Sequence, residues 1–120
     1  MPTLDIDLVG DGAPPPDGLA RQLADAASHV FGSEPNATWV RLRSLSPAEY
    51  AENGDDYLDA HPVLVTIIKA DLATPDELAT EAVALATAIA EVTGRAVEHV
   101  HIIYEPPGRG RVAFGGELLR

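Results

Sequence analysis

The feature that most constrains the fold is a pattern that the chain carries twice: a strand, a helix and a second strand, then the same order again. Pro2 begins the first copy and Pro62 the second, and the same offset of sixty residues superposes Leu4 on Leu64. A strand–helix–strand unit crosses over in the right-handed sense, so its two strands are parallel. Two such units predict an α/β (α+β) fold with a four-stranded sheet and both helices on one face.

Local patterns locate these elements. Alternating apolar residues in positions 1–8 predict a half-buried strand. One helix is predicted from Asp17, as its N-cap, to Phe31, and another after Thr74, where Glu77 completes a capping box. Further strands are predicted at residues 37–43, 62–69 and 98–105, with a Gly-rich hairpin after them.

The third strand is apolar on both sides, which predicts a position inside the sheet. The face of the sheet away from the helices is left uncovered. The repeat assigns Trp39, Val65 and Ile67 to that face, so we expect other subunits to bury it. The chain is interpreted as one domain, 1–120, with repeats at about 2–45 and 62–120 and a linker at 44–61.

Charge and composition exclude several classes of partner. The net charge is −11 with only eight Lys and Arg, which argues against nucleic acid and anionic membranes as partners. The chain has no Cys, no apolar run of membrane-spanning length and no signal-like start, which predicts a cytoplasmic protein. His99 and His101 share a strand without an evident third ligand, so no metal site is predicted.

Residues 100–105 read Val-His-Ile-Ile-Tyr-Glu and precede the Gly-rich hairpin, and Pro2 follows the initiator Met directly. This combination resembles the tautomerase superfamily, and most closely 4-oxalocrotonate tautomerase in a fused, duplicated form. The resemblance implies a homotrimer that needs no cofactor. It also implies catalysis by an amino-terminal proline in a pocket built partly by a neighbouring subunit. The nitrogen of Pro62 is acylated within the chain, so only Pro2 can serve as the base.

The remaining candidate residues would bind a small carboxylate substrate, and the resemblance implies Arg41, His101 and Lys69 among them. Arg41 stands where the family has a functional arginine, and His101 stands at the corresponding place in the second copy. Arg43 points the same way as Arg41 on its strand. Lys69 ends the third strand where one branch of the family has a basic residue, and Tyr50 lies in the linker as a possible hydrogen-bond donor.

The resulting hypothesis is a keto–enol tautomerase or isomerase of a small 2-keto or enol acid, with Pro2 as general base. One alternative is a hydratase or hydrolytic dehalogenase of a small unsaturated acid, with Glu105 or Glu117 activating water. Another is a non-catalytic oligomer with the same fold. This last alternative arises because residues 10–12 lack the arginine that 4-oxalocrotonate tautomerase carries after its first strand.

Overall fold

The computed structural model describes residues 1–54 and 61–120; the acidic part of the predicted linker, at 55–60, lies outside the described residues. The elements follow the predicted order and differ from the predicted bounds by one or two residues at most ends. They are β1 (Thr3–Val9), α1 (Leu19–Phe31), β2 (Trp39–Leu45), β3 (Val63–Ile68), α2 (Pro75–Thr93), a 3-10 turn (Val97–His99), β4 (Val100–Tyr104), β5 (Ala113–Phe114) and β6 (Glu117–Leu118).

The four long strands form one sheet in the order β2-β1-β3-β4. Within each repeat the two strands are parallel, as the crossover rule predicts. The two repeats meet through the antiparallel pair β1 and β3 at the centre of the sheet. Both halves of the chain therefore contribute to one continuous sheet.

Both helices cover the same face of this sheet, which confirms the predicted layering. Leu23 of α1 and Leu85 and Ile89 of α2 are completely buried against β1 and β3. Burial of one such side chain stabilises the folded state by about 1.5–3 kcal/mol. The strand residues of this core are Leu4, Ile6, Leu8, Val63, Val65, Ile67 and Val100.

The two helices begin differently. At α2 the hydroxyl of Thr74 accepts a hydrogen bond from the Glu77 N–H at 3.3 Å, as the capping box predicts. At α1 the prediction of Asp17 as N-cap is wrong. Gly18 is the N-cap, with φ +84°, and no side chain caps the helix. The left-handed backbone that glycine permits moves the start of the helix by one residue, and the Pro16 carbonyl accepts from the Leu19 N–H instead.

The first strands of the two repeats are related by an offset of 59 residues, one less than predicted. In the first repeat Leu4 pairs with Val40, whereas in the second Val63 pairs with Val100. Leu4 is therefore equivalent to Val63 and not to Leu64. A shift of one residue moves every side chain of a strand to the opposite face of the sheet.

This shift corrects the predicted open face. Val65 and Ile67 lie opposite Ile6 and Leu4, point towards the helices and are at most 1% exposed. The third strand is apolar at almost every position, so periodicity could not decide which side faces inward. Thr66, the one polar residue of the strand, could have indicated the register, because the observed register turns its hydroxyl away from the apolar core.

The open face, defined as the face of the sheet opposite the helices, presents alternate residues of all four strands. It carries Thr3, Asp5 and Asp7 from β1, Trp39, Arg41 and Arg43 from β2, Leu64, Thr66 and Ile68 from β3, and His101 and Ile103 from β4. Trp39 and Ile103 are 54% and 63% exposed. Burial of this face against other subunits stays a prediction.

The carboxyl-terminal hairpin of β5 and β6 is attached to the end of β3. The Gly108 N–H donates to the Lys69 carbonyl at 2.7 Å, and Arg109 pairs with Asp71. The Phe114 ring meets the Trp39 ring edge-on, with centroids 5.3 Å apart. The hairpin thereby borders the end of the sheet at which β1 begins. Over the described ranges, no helix has the length and apolar character needed to span a bilayer.

Candidate active site

Pro2 lies at the amino end of β1 and is buried. Its carbonyl accepts a hydrogen bond from the Trp39 N–H at 3.0 Å, which fixes the residue against the start of β2. Extending the antiparallel register of β1 and β3 by one pair places Pro2 opposite Lys69. The residue with the candidate base is thus held at the edge of the core by the strands on both sides.

The side chain of Met1 packs on Gly108. A Cβ built at Gly108 would lie 2.6 Å from the Met1 methyl carbon and 3.0 Å from methyl groups of Ile68 and Val112. Glycine is therefore the residue that leaves room for Met1 here. Removal of Met1 would leave an apolar space next to the Pro2 nitrogen.

A cavity of about 430 Å³ borders this space, because Ile68 and Val112 line both. We call it the amino-terminal cavity. Its walls are mainly apolar, and its polar residues are Thr3, Asp5 and Arg41. Its apolar lining comes from Leu4, Trp39, Ile68, Val112, Ala113 and Phe114.

Arg41 is the one cation that lines this cavity within the described chain. Its Nε and Nη2 donate to the two carboxylate oxygens of Asp5 at 2.7 and 2.9 Å. This bidentate geometry is the strong form of an Arg–carboxylate pair. The hydrogen bond from Arg41 lowers the pKa of Asp5 below its ordinary value, so the carboxylate stays ionised beside the guanidinium.

Arg43 lies one row further along the sheet and pairs with Asp7 through a single contact of 2.9 Å. This second pair repeats the first, but neither residue lines the amino-terminal cavity. Arg41 and Arg43 lie on the same face of the sheet, as predicted, and of these two arginines only Arg41 lines the amino-terminal cavity.

Lys69 faces the helices and forms an ion pair with Glu81 of α2 at 2.7 Å, where both side chains are less than 20% exposed. The ammonium also lies 5.0 Å from the centroid of the Phe31 ring. The Tyr104 hydroxyl donates to the other oxygen of Glu81 at 3.0 Å, and burial together with that carboxylate raises the pKa of Tyr104. Lys69 is thus close to Pro2 in the register, with its charge already balanced by Glu81.

His101 and Tyr50 are not brought to this cavity. His101 pairs with Leu64, which lies opposite Asp7, five residues along β1 from Pro2. At about 3.3 Å per residue, this is about 16 Å along the sheet. The Tyr50 hydroxyl donates to Glu52 at 2.8 Å. A site that combines His101 with Pro2 would therefore need a second subunit.

The two carboxylates considered for water activation also lie outside the cavity. The Glu105 N–H donates to the Ile67 carbonyl and continues the pairing of β4 with β3. Glu117 lines a separate depression of about 670 Å³ formed by the carboxyl-terminal residues. Among the residues that the structure describes, no three His, Asp or Glu side chains group as metal ligands would.

Sequence reasoning missed four residues that shape the site: Asp5, Trp39, Ile68 and Gly108. The alternation of β1 placed Asp5 on the side of Thr3, but nothing in the sequence paired it with Arg41. Ile68 was missed because the predicted register of β3, wrong by one residue, placed it on the face covered by the helices. Arg95 was also missed: its Nη1 donates to the carbonyls of Val9, His61 and Pro62, joining the carboxyl end of β1 to the start of β3.

Neither a family model nor a curated protein sequence matches the chain. Several solved structures, however, are similar to the chain. A fused 4-OT is 19% identical with a TM-score of 0.76, covering 98% of this chain and 96% of that one. The macrophage migration inhibitory factor of Oncomelania hupensis is 18% identical with a TM-score of 0.74, over 100% and 83%. A malonate semialdehyde decarboxylase is 18% identical with a TM-score of 0.70, over 94% and 88%.

These similarities extend over nearly the whole chain and include both repeats. The structural similarity establishes the fold, whereas sequence identities below 20% leave the activity open. The resemblance seen in the sequence is confirmed at that level. The chain has the duplicated β-α-β fold of the tautomerase superfamily.

Proposed function

We propose that this protein is a cofactor-independent keto–enol tautomerase of a small 2-keto or enol acid, with the amine of Pro2 as general base once Met1 is removed. One observation carries the proposal. Pro2 is buried at the start of β1, beside an apolar cavity that Arg41 lines as its cation. Base, acid-binding group and apolar walls thus come from the two strands of the first repeat, from Ile68 of β3 and from the carboxyl-terminal hairpin.

The chemistry follows from this arrangement. Burial and a nearby cation both disfavour the protonated form of an amine, so they lower its pKa towards neutrality, where a general base works best. The base removes a proton from the carbon next to a carbonyl, or from an enol oxygen, and returns it elsewhere. Arg41 would bind the acid group and stabilise the negative charge of the enolate. Trp39 and Phe114 would limit access of water.

The proposal includes a homotrimer. Two fused 4-OT structures similar to this chain are trimers. A trimer would bury exposed apolar residues of the open face, and it would allow a neighbouring subunit to bring Arg43, His101 or Tyr50 to the Pro2 of the next.

We treat residues 1–120 as one domain, since both repeats share one sheet and one core. The partner is a small carboxylate, while a net charge of −11 disfavours nucleic acid and membranes. A cytoplasmic location remains a prediction.

The test is conversion of enol phenylpyruvate to its keto form, by protein whose mass confirms the loss of Met1. General-base catalysis contributes about 100- to 10,000-fold, so Pro2→Ala should lower kcat by at least about 100-fold. Pro62→Ala is the matched control, because Pro62 has no free nitrogen. Activity that is unchanged in Pro2→Ala would contradict the proposal.

A hydratase is the second candidate, because a malonate semialdehyde decarboxylase similar to this chain is described with both decarboxylase and hydratase activities. Hydration needs a carboxylate to activate water. Asp5 is the acidic residue that lines the cavity, but Arg41 holds both of its oxygens. Release of a hydrated product, or of halide, would favour this candidate. An intact trimer without any activity would favour the non-catalytic alternative.

A further inference from the structure

The Arg41 and Asp5 pair occupies the position at which an acidic ligand of the amino-terminal cavity would bind. Two donors of the guanidinium are directed at the two oxygens of one carboxylate, 2.7 and 2.9 Å away. This is the geometry by which an arginine binds a substrate carboxylate. An anionic ligand that approaches Arg41 therefore competes with the Asp5 carboxylate, which Arg41 already binds.

The rest of the cavity selects for an apolar body. Trp39 and Phe114 form two adjoining aromatic walls, edge to face at an angle of 83°, and Ile68 and Val112 add aliphatic surface. Within the described residues, no second cation lines the space that could bind another acid group of the same ligand. The chemistry matches a monocarboxylate with one flat apolar group better than a dicarboxylate.

We propose that the amino-terminal cavity binds aromatic-sized monocarboxylates and that Asp5 is a built-in competitor for Arg41, so that ligand binding displaces Asp5 from the guanidinium. Asp5 then sets the affinity and excludes weak anions. This proposal rests on the proposed function in naming the substrate class of the same site. It is tested by binding, which requires no reaction at Pro2.

The chain supplies a matched control for Asp5. Asp7 lies two residues along the same strand, faces the same side and pairs with Arg43, but it does not line the cavity. Asp5→Asn and Asp7→Asn change the net charge equally and free one arginine each. A general electrostatic effect would raise the affinity for an anion equally in both variants, whereas competition at Arg41 acts only in Asp5→Asn.

The experiment is a titration with benzoate, followed by the fluorescence of Trp39, which is the only Trp of the chain and lines the cavity. Protein lacking Met1 is used. Exposed ion pairs contribute up to about 1 kcal/mol, so Asp5→Asn should lower the Kd by up to about 5-fold. Asp7→Asn should leave the Kd for benzoate within about 2-fold of the wild-type value. Arg41→Met, added to Asp5→Asn, should abolish the gain in benzoate affinity. The neutral benzyl alcohol should bind wild type and Asp5→Asn equally.

An equal gain in Asp5→Asn and Asp7→Asn, or no benzoate binding by any variant, would overturn the proposal. If Asp5→Asn does not fold, Asp5→Thr carries the same expectation, because threonine suits a strand and is neutral. Benzoate binding that follows the expected pattern without any turnover of phenylpyruvate would overturn the proposed function alone. Turnover that depends on Pro2, with equal binding by both variants, would overturn the role of Asp5 alone.

Discussion

The two repeats share one backbone plan but differ on the open face of the sheet. The first repeat carries two Asp–Arg pairs there, Asp5 with Arg41 and Asp7 with Arg43. At the equivalent positions, the second repeat carries Leu64 with His101 and Thr66 with Ile103. The duplicated backbone thus carries Asp–Arg pairs on the open face of one half and alternating apolar and polar residues on that of the other. Pro2 belongs to the half with the Asp–Arg pairs, and we expect subunit contacts to bury the apolar residues of the other half.

A second difference concerns how far the ion pairs of each repeat are shielded from water. The second repeat holds Lys69 and Glu81 between β3 and α2, where both side chains are largely shielded from water. The ion pairs of the first repeat are more exposed. A charge shielded from solvent depends far more on its partner than an exposed one. The second repeat therefore combines an open face that carries Leu64, Thr66, His101 and Ile103 with the more shielded ion pair.

The largest expected effect distinguishes Arg41 from His101, which stands at the equivalent position of the second repeat. Arg41→Met should lower kcat/KM for phenylpyruvate by about 100-fold, because it removes the charge that we propose stabilises the enolate. His101→Gln should have a much smaller effect if each chain supplies its own cation. Steady-state kinetics of both variants decide this. A comparable loss in His101→Gln would mean that a neighbouring subunit brings the second repeat to the cavity.

The next effect tests the register of β3 with two identical side chains on adjacent positions. Ile67 is completely buried beneath the helices, whereas Ile68 lies on the open face. Ile67→Ala should destabilise the fold by about 2–5 kcal/mol, in the range for a deleted core side chain. Ile68→Ala should cost clearly less and affect benzoate binding instead. Urea unfolding provides the measurement, and a larger loss in Ile68→Ala than in Ile67→Ala would argue for the 60-residue offset.

A smaller effect compares ion pairs of the two repeats by double-mutant cycles. The coupling energy of Lys69 and Glu81, from Lys69→Met and Glu81→Gln, should be about 1–3 kcal/mol because the pair is shielded. For Arg43 and Asp7, from Arg43→Met and Asp7→Asn, it should lie below about 1 kcal/mol. Thermal unfolding of the single and double variants gives both values. A larger coupling for the exposed pair would contradict the contrast.

The smallest expected effect concerns the stability of the fold at low pH. Hydrogen bonds from arginine lower the pKa of Asp5 in the first repeat and of Asp71 in the second below the ordinary value of 3.8. A carboxylate with a lowered pKa stabilises the fold above its unfolded pKa, and this contribution is lost as the pH falls through the folded value. Wild type should therefore be slightly more stable than Asp5→Asn at neutral pH.

That difference should shrink below about pH 4, the range in which free aspartates protonate. The melting temperature of both proteins between pH 7 and pH 2.5 measures it, with Asp71→Asn as the second-repeat counterpart. A difference that persists unchanged to the lowest pH would show that the Asp5 charge is not its source.

Much of the fold could be predicted because its signals are local. The capping box at Thr74, the glycines that end both helices and the alternation of β1 each depend on a few adjacent residues, and the structure confirms them. The parallel pairing within each repeat followed from the handedness of the crossover. Candidate site residues were harder to predict, because Asp5 and Arg41 are 36 residues apart and only the sheet makes them neighbours.

The sequence by itself determined the order of the elements, the two-fold repeat and the layering of helices on one face. Only the tertiary structure decided the register of β3, because a strand that is apolar on both sides has no preferred face until it pairs with β1. The same pairing decided that Asp5 holds Arg41 and that Glu81 balances Lys69. Which charges are free to bind a substrate is a property of contacts between distant residues, and no local pattern encodes it.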